Sequence, residues 1–285
     1  MKPQESKELS FVASLTRRLN GGDGSAWLNL GYWGKERTST SYPAAAEALA
    51  KTVADAAHLR EYSDPIVIDV GCGLGESLTL WANEYGADIR RSLGINVSAA
   101  EVAAARARGG LLAARVVQGD ASELPVGDGT ADAVLAIDAA YHFRSRAAFL
   151  REAGRVLRCG GTFGAADIIA ASVPETAAPL TDSKGGLFQG IESSQQHSWL
   201  RWLICSIVGI PLINIYSEET YRQLLATAGL GCNVAFREAT VDVTDGFTNW
   251  AKCSGSWVLW TVGIFLKAAM RGASLRFVVV SATKK

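Results

Sequence analysis

The chain has 285 residues, with 28 basic and 28 acidic side chains and a formal net charge of zero. That length suits one large domain, or a domain with a cap, and the balanced charge argues against a nucleic-acid binder, which would carry a basic excess. Hydrophobic residues make up 48% of the chain, yet no uninterrupted apolar run reaches the roughly 18 residues that a membrane span needs.

In chain order, the opening MKPQESKELS has no apolar stretch of the kind found in signal peptides. Glu8 to Leu19 reads as a short helix ending at the glycine-rich turn Asn20–Gly24. Ala26 to Trp33 is aromatic and irregular, and Tyr42 to Ala57 is an alanine-rich helix with Ala45, Leu49 and Val53 at four-residue spacing. From Pro65 the period changes. Pro65 to Val70 is a short, continuously apolar run apart from Asp69, the pattern of a strand buried on both faces of a parallel sheet. A glycine loop and a helix to about Tyr85 follow. Further strands are predicted at Ser92–Asn96, Arg115–Gln118, Ala131–Ile137 and Thr162–Asp167. Ser98 and Glu101 form a capping box for one intervening helix, and Ser145 caps another that is expected to end at Cys159-Gly160-Gly161. This alternation of strand and helix means a doubly wound α/β sheet. It breaks over residues 168–216, an insertion that is polar at first and strongly apolar from Trp199 to Tyr216. A helix at Glu218–Ala228, capped by Ser217, precedes a strand at Cys232–Phe236, a long helix at Phe247–Met270 and a last strand at Leu275–Ser281.

The five cysteines, Cys72, Cys159, Cys205, Cys232 and Cys253, are odd in number and scattered, without a CxxC pair or a Cys/His cluster. That pattern predicts a reduced, cytoplasmic protein with no metal site.

The chemistry centres on Asp69-Val-Gly71-Cys-Gly73-Leu-Gly75, between the first strand and its helix. Glycines at 71 and 73 permit a tight turn and close backbone approach to a ligand, and the helix beyond offers free N–H groups. By itself the loop fits a dinucleotide phosphate or a nucleoside-and-carboxylate ligand equally well. The absence of GK[ST] excludes a P-loop. The surrounding run is more specific. Val67-Ile-Asp-Val-Gly-Cys-Gly-Leu-Gly75, Gly94-Ile-Asn-Val-Ser98, Gly119-Asp120-Ala121, Leu124-Pro125, Asp132-Ala133-Val134 and Arg155-Val-Leu-Arg-Cys-Gly-Gly161 closely resemble class I S-adenosylmethionine-dependent methyltransferases, in order and spacing. Asn29-Leu-Gly-Tyr-Trp33 resembles the entrance segment of the small-molecule branch, which acts on natural products, lipids, sterols and tocopherol precursors.

The resemblance implies a Rossmann-like α/β fold: a doubly wound sheet of seven strands, the last antiparallel, with a helical cap. It divides the chain into a helical segment closing the site (1–64), the cofactor-binding core (65–168), a cap insertion (169–216) and the carboxyl-terminal part of the sheet with substrate-side helices (217–285). It implies S-adenosylmethionine as cofactor, converted to S-adenosylhomocysteine. Gly71, Gly73 and Gly75 would pass under its methionine end, and Asp69 would orient the loop and reach the amino group through water. Asn96 stands where an acid often binds the ribose, so a charge-assisted bond is lost there. Asp120 would accept from the adenine amino group, Ala121 would offer its backbone N–H, Asp138 would lie near the methionine end, and Tyr32 completes the cofactor set.

Of the three histidines, His142 follows the fourth strand at the carboxyl end of the sheet, where doubly wound folds bind ligands. In hydroxyl-methylating relatives a histidine here is a proposed base, assisted by an acid at the position of Asp167. His58 reads as solvated and His197 as a cap residue. Five of the eight tryptophans fall between 199 and 260. This apolar region suits a bulky, largely apolar acceptor or a peripheral contact with a membrane interface. The expected activity is methyl transfer to a hydroxyl of such an acceptor. One alternative is C-methylation of an alkene or ring, with Tyr32, Trp33, Tyr141 and Phe143 stabilising a cation. Another is a cofactor-binding partner without turnover. Neither the acceptor atom nor the oligomeric state is readable from the residues.

Overall fold

The computed structural model describes residues 13–22, 24–34, 40–110, 115–171, 179–181, 187–189, 202, 205–207 and 209–285. The strands are β1 (Val67–Val70), β2 (Leu93–Asn96), β3 (Val116–Gln118), β4 (Ala131–Ile137), β5 (Leu157–Ala170), β6 (Pro179–Thr181), β7 (Leu187–Gln189), β8 (Cys232–Glu238) and β9 (Leu275–Thr283). Seven of them form one sheet in the order β3-β2-β1-β4-β5-β9-β8. β1 to β5 pair in parallel, and β9 runs antiparallel to both of its neighbours. The chain thus has the doubly wound, Rossmann-like sheet with its last strand reversed.

β1 and β4 are buried along their whole length, as continuous apolar runs demand when helices cover both faces of a sheet. One face carries helix α1 (Tyr42–Ala56), whose Leu49 and Val53 are fully buried with Val67, Ala133 and Leu135. After α2 (Glu76–Tyr85) and α3 (Ala99–Ala107), the other face carries α4 (Arg146–Val156) and α5 (Glu218–Thr227). Phe149, Leu150, Tyr221 and Leu225 of these helices pack against Phe163, Val278 and Val280. Three helices start where a hydroxyl was expected to cap them: Ser98, Ser145 and Ser217 each accept a backbone N–H from the first turn, and Ser41 does the same for α1.

Three elements differ from expectation. α4 ends at Val156, not at the glycine pair. There Gly160 N–H donates to Lys284 O and Lys284 N–H to Gly161 O, so the end of the chain recruits residues 157–161 into the sheet. The long helix is broken. A π-helical turn (Val241–Asp245) leads into α6 (Gly246–Cys253), and α7 (Trp257–Gly272) starts afresh. Gly255 at φ +74° turns the chain between them and Ser256 caps α7. In the insertion, β6 and β7 pair as a two-stranded antiparallel ladder, so the cap is not helical throughout. His197, Trp199, Leu203 and Val208 lie outside the described residues, as does the start of the Glu8–Leu19 helix. Residues 13–20 are helical.

Candidate active site

A cavity of about 570 Å³ opens at the carboxyl ends of β1, β2 and β4, the edge where doubly wound sheets bind ligands. Part of its wall comes from the amino-terminal segment Ala26–Leu30. That segment is tied down by buried bonds. Asn29 donates to Ala46 O (3.1 Å) and accepts from Gly31 N–H (2.8 Å), Tyr42 Oη donates to Asn29 O (2.6 Å), and Asn20 bonds both backbone groups of Trp27.

Asp69, at the end of β1, is 1% exposed. One carboxylate oxygen accepts from Trp81 Nε1 at 2.8 Å, while the other, Oδ1, has no partner. Burial pushes its pKa up to about 6, against the opposing pull of the nearby Ser77 hydroxyl and the Trp81 hydrogen bond. The loop after it folds tightly: Gly71 and Cys72 N–H both point at Ile95 O, at 2.7 and 3.3 Å. At Gly71 (φ +79°) a Cβ would sit 2.5 Å from Ala139 Cβ, so the loop packs directly against the segment after β4. At Gly73 (φ +53°) a Cβ would meet only Leu28 Cδ1, at 3.7 Å, in the space of the cavity. Gly75 is different. It precedes α2 at φ +81°, packs towards Val116, and is not among the residues lining the cavity. Its role is in the turn.

Asn96 and Glu101 line the cavity together. Asn96 Nδ2 donates to Glu101 Oε2 at 2.7 Å, and its Oδ1 accepts from Ser98 N–H at 3.0 Å. Glu101 was read only as half of a capping box, yet the carboxylate missing from the end of β2 is supplied from the first turn of α3. The signal was an amide in an acid's place with a Glu five residues on. Asp120 and Ala121 are also in the lining, and Asp120 Oδ1 accepts from Ser122 N–H at 2.8 Å. Asp138, at φ +58°, accepts from Tyr141 Oη (2.6 Å) and from Leu30 N–H (2.8 Å). Burial lifts its pKa to about 7, and the bonds from Tyr141 and Leu30 oppose that rise.

Two expected residues stand elsewhere. Tyr32 is not in the lining; its hydroxyl donates to Asp242 (3.2 Å) and accepts from Arg237 (2.9 Å), whose guanidinium also lies over its ring. The turn at Gly31 (φ +76°) carries it off. Asp167 does not meet His142. It is fully buried, ion-paired with Arg146 at 3.1 Å, and accepts from Tyr221 Oη at 2.8 Å. Along a strand, neighbours face opposite sides. Ile168 lines the cavity, and Asp167 points to the α4–α5 side.

His142 does line the cavity. Its Nδ1 lies 3.1 Å from Gly209 O. A carbonyl can only accept, so Nδ1 carries the proton and the neutral ring keeps an acceptor at Nε2. Desolvation lowers its pKa below the ordinary histidine range, outweighing the Gly209 bond and the Asp167 charge. The residue that holds this loop was missed in the sequence. Asn214, fully buried, donates to Tyr141 O (3.2 Å) and Phe143 O (2.5 Å) and accepts from Arg146 N–H (2.8 Å).

A model of the methyltransferase domain matches residues 68–165. The chain is 29% identical over 210 residues to erythromycin 3''-O-methyltransferase of Saccharopolyspora erythraea, covering 72% of this chain and 61% of that one. To 27-O-demethylrifamycin SV methyltransferase of Amycolatopsis mediterranei it is 32% identical over 207 residues, covering 71% and 66%. Residues 68–165 are thus a methyltransferase domain, and the chain around them is similar to S-adenosylmethionine-dependent methyltransferases of the class I kind. It spans less than two thirds of the length of those two relatives. Its fold is that of the geranyl diphosphate methyltransferase solved with geranyl diphosphate and sinefungin, at a TM-score of 0.70, 17% identity and 99% coverage of each chain. The cofactor of this methyltransferase is S-adenosylmethionine, and the cavity suits it. The unpartnered Asp69 Oδ1 is a buried acceptor awaiting a cationic donor, Gly73 leaves backbone-lined space, and Glu101 with Asn96 offers acceptors for a diol.

Proposed function

We propose that this methyltransferase methylates a hydroxyl oxygen of a small, largely apolar acceptor, with His142 as general base. The observation that carries the reading is the Nδ1 contact to Gly209 O, which leaves a neutral imidazole with a free acceptor nitrogen in the cavity wall. When bound, S-adenosylmethionine supplies a methyl group on a sulfonium that departs as a neutral thioether. Alignment and proton removal are left to the chain. Asp69 receives the cofactor's amino group, Glu101 and Asn96 the ribose hydroxyls, and Asp120 with Ala121 the adenine edge. Gly73 keeps the space beside it open, and Gly71 lets the loop pack against Ala139. Asp138 fixes the loop between the amino-terminal segment and Tyr141. Holding the reacting atoms about 3–3.5 Å apart supplies several kcal/mol of the barrier, and a base that takes the hydroxyl proton contributes a further factor of about 10²–10⁴ in rate.

On the acceptor side, Ile168, Ile210, Val262, Phe265 and Met270 make the wall apolar. The names of the erythromycin and rifamycin relatives, both methyltransferases of bulky natural products, support a hydroxyl acceptor of that size. Incubation with labelled cofactor and a cell extract, followed by identification of the labelled product, tests the reading. An N- or C-methylated product, or cofactor binding without any product, would refute it. Only Tyr141 and Phe143 of the four aromatic residues expected to stabilise a carbocation line the cavity, which weakens the C-methylation alternative.

Two results are expected at the cofactor end. Asp120→Ala weakens S-adenosylhomocysteine binding by about 1–3 kcal/mol, the loss that follows when a ligand donor is left without its acceptor, as calorimetry would read. Unchanged affinity removes Asp120 from the adenine site. Affinity also depends on pH through Asp69. Its pKa lies near 6 in the free protein, and a cationic amino group prefers the ionised carboxylate. Binding therefore expels a proton at acid pH, and affinity rises with pH through that value. A fall of about tenfold between pH 8 and pH 5 is expected, one pKa unit corresponding to 1.36 kcal/mol. Asp69→Asn should flatten the dependence.

A further inference from the structure

Helix α7 is apolar on two sides. Leu259, Gly263, Ala269 and Met270 are buried against the body of the protein. Val262, Phe265 and Leu266 line the cavity. The opposite side, which on a surface helix is ordinarily polar, carries Trp257 at 74%, Ile264 at 45% and Trp260 at 40% exposure. Large exposed apolar patches mark interaction surfaces. This one continues into the mouth of the cavity, because Val262, Phe265 and Val97 are both lining and exposed.

The charge beside the patch has one sign. From Gly246 to Leu275 the chain holds Lys252, Lys267 and Arg271 and no Asp or Glu. Lys267 is paired with Asp245 at 2.9 Å. Lys252 and Arg271 are exposed and have no acidic partner among the described residues. No helix among the described residues is long and apolar enough to cross a membrane. An apolar helix face with tryptophans at one end, in a stretch whose charged residues are all cationic, has the character of a segment lying in the plane of a bilayer interface.

We propose that α7 docks the protein on an anionic lipid surface, with Trp257, Trp260 and Ile264 at the headgroup–acyl boundary and Lys252 and Arg271 against lipid phosphates. The cavity mouth then opens towards the acyl region, so that an apolar acceptor enters from the membrane without crossing water. That route rests on the methyl-transfer reading; the docking does not, and it is measured without turnover.

The full chain is floated with vesicles of phosphatidylcholine alone and of phosphatidylcholine with phosphatidylglycerol. Binding to the mixed vesicles, weakened by salt, is expected. The double variant Trp257→Glu/Ile264→Glu should lose it by about tenfold or more, while its affinity for S-adenosylhomocysteine stays that of the wild type. Lys252→Glu/Arg271→Glu should remove the preference for phosphatidylglycerol. Absence of binding to both vesicles overturns the proposal, as does binding that survives Trp257→Glu/Ile264→Glu. A dimer in sedimentation that this variant dissociates overturns it too, since a second copy would then cover the patch.

Discussion

His142→Ala lowers turnover by about 10²–10⁴ while leaving S-adenosylhomocysteine affinity near that of the wild type, the usual cost of losing a general base. The variant leaves the cofactor-side residues Asp69, Glu101 and Asp120 untouched. Their partners are Trp81, Asn96 and Ser122, and none of these touches the imidazole. A second readout separates chemistry from packing. The wild-type rate should fall at acid pH as the imidazole protonates, because only the neutral ring accepts a proton. Desolvation lowers this pKa, so the acid limb should lie below the ordinary histidine value, with full activity above it. His142→Ala should abolish that limb. Retention of most activity against the native acceptor would sink the base assignment and favour a carbon acceptor or one acidic enough to need no base.

Gly73→Val should abolish cofactor binding in a protein that still folds. The added Cβ meets nothing closer than Leu28 Cδ1 at 3.7 Å, so the branched side chain grows into the cavity, not into the core. The cost to stability is the left-handed backbone at φ +53°, about 1–2 kcal/mol for a residue with a Cβ. Gly71→Val is the contrasting case. Its Cβ would lie 2.5 Å from Ala139 Cβ and 3.3 Å from the Phe143 ring, so it should disturb the His142 loop and lower the melting temperature as well. Thermal melts with calorimetry on both variants would distinguish them. Wild-type affinity in Gly73→Val would mean that the cofactor does not pass this glycine.

Much of the fold is local information. The short apolar runs at Val67–Val70 and Ala131–Ile137 favour burial on both faces, and serine caps set helix starts within a residue. The glycine loop was legible for the same reason: a left-handed turn beside a ligand admits few residues, and they are contiguous. Helix ends were less so. The stop of α4 depends on Lys284, more than a hundred residues away, and no window around Gly160 contains it.

The sequence by itself determined the class of sheet and a ligand-binding glycine loop, because each is written in a short stretch whose backbone and period leave little choice; the candidate acids Asp69, Asp120 and Asp138 came from its resemblance to the methyltransferases. Only the tertiary structure decided which side chains share the cavity. The register of β5 turned Asp167 towards Arg146 and Tyr221 and Ile168 towards the ligand space. The turn at Gly31 sent Tyr32 to Arg237 and Asp242. α3 brought Glu101 back beside Asn96, and Asn214, 72 residues beyond His142 in sequence, closed on the loop that carries it. Such contacts join residues far apart in the chain, and their geometry exists only once sheet, helices and insertion are packed together.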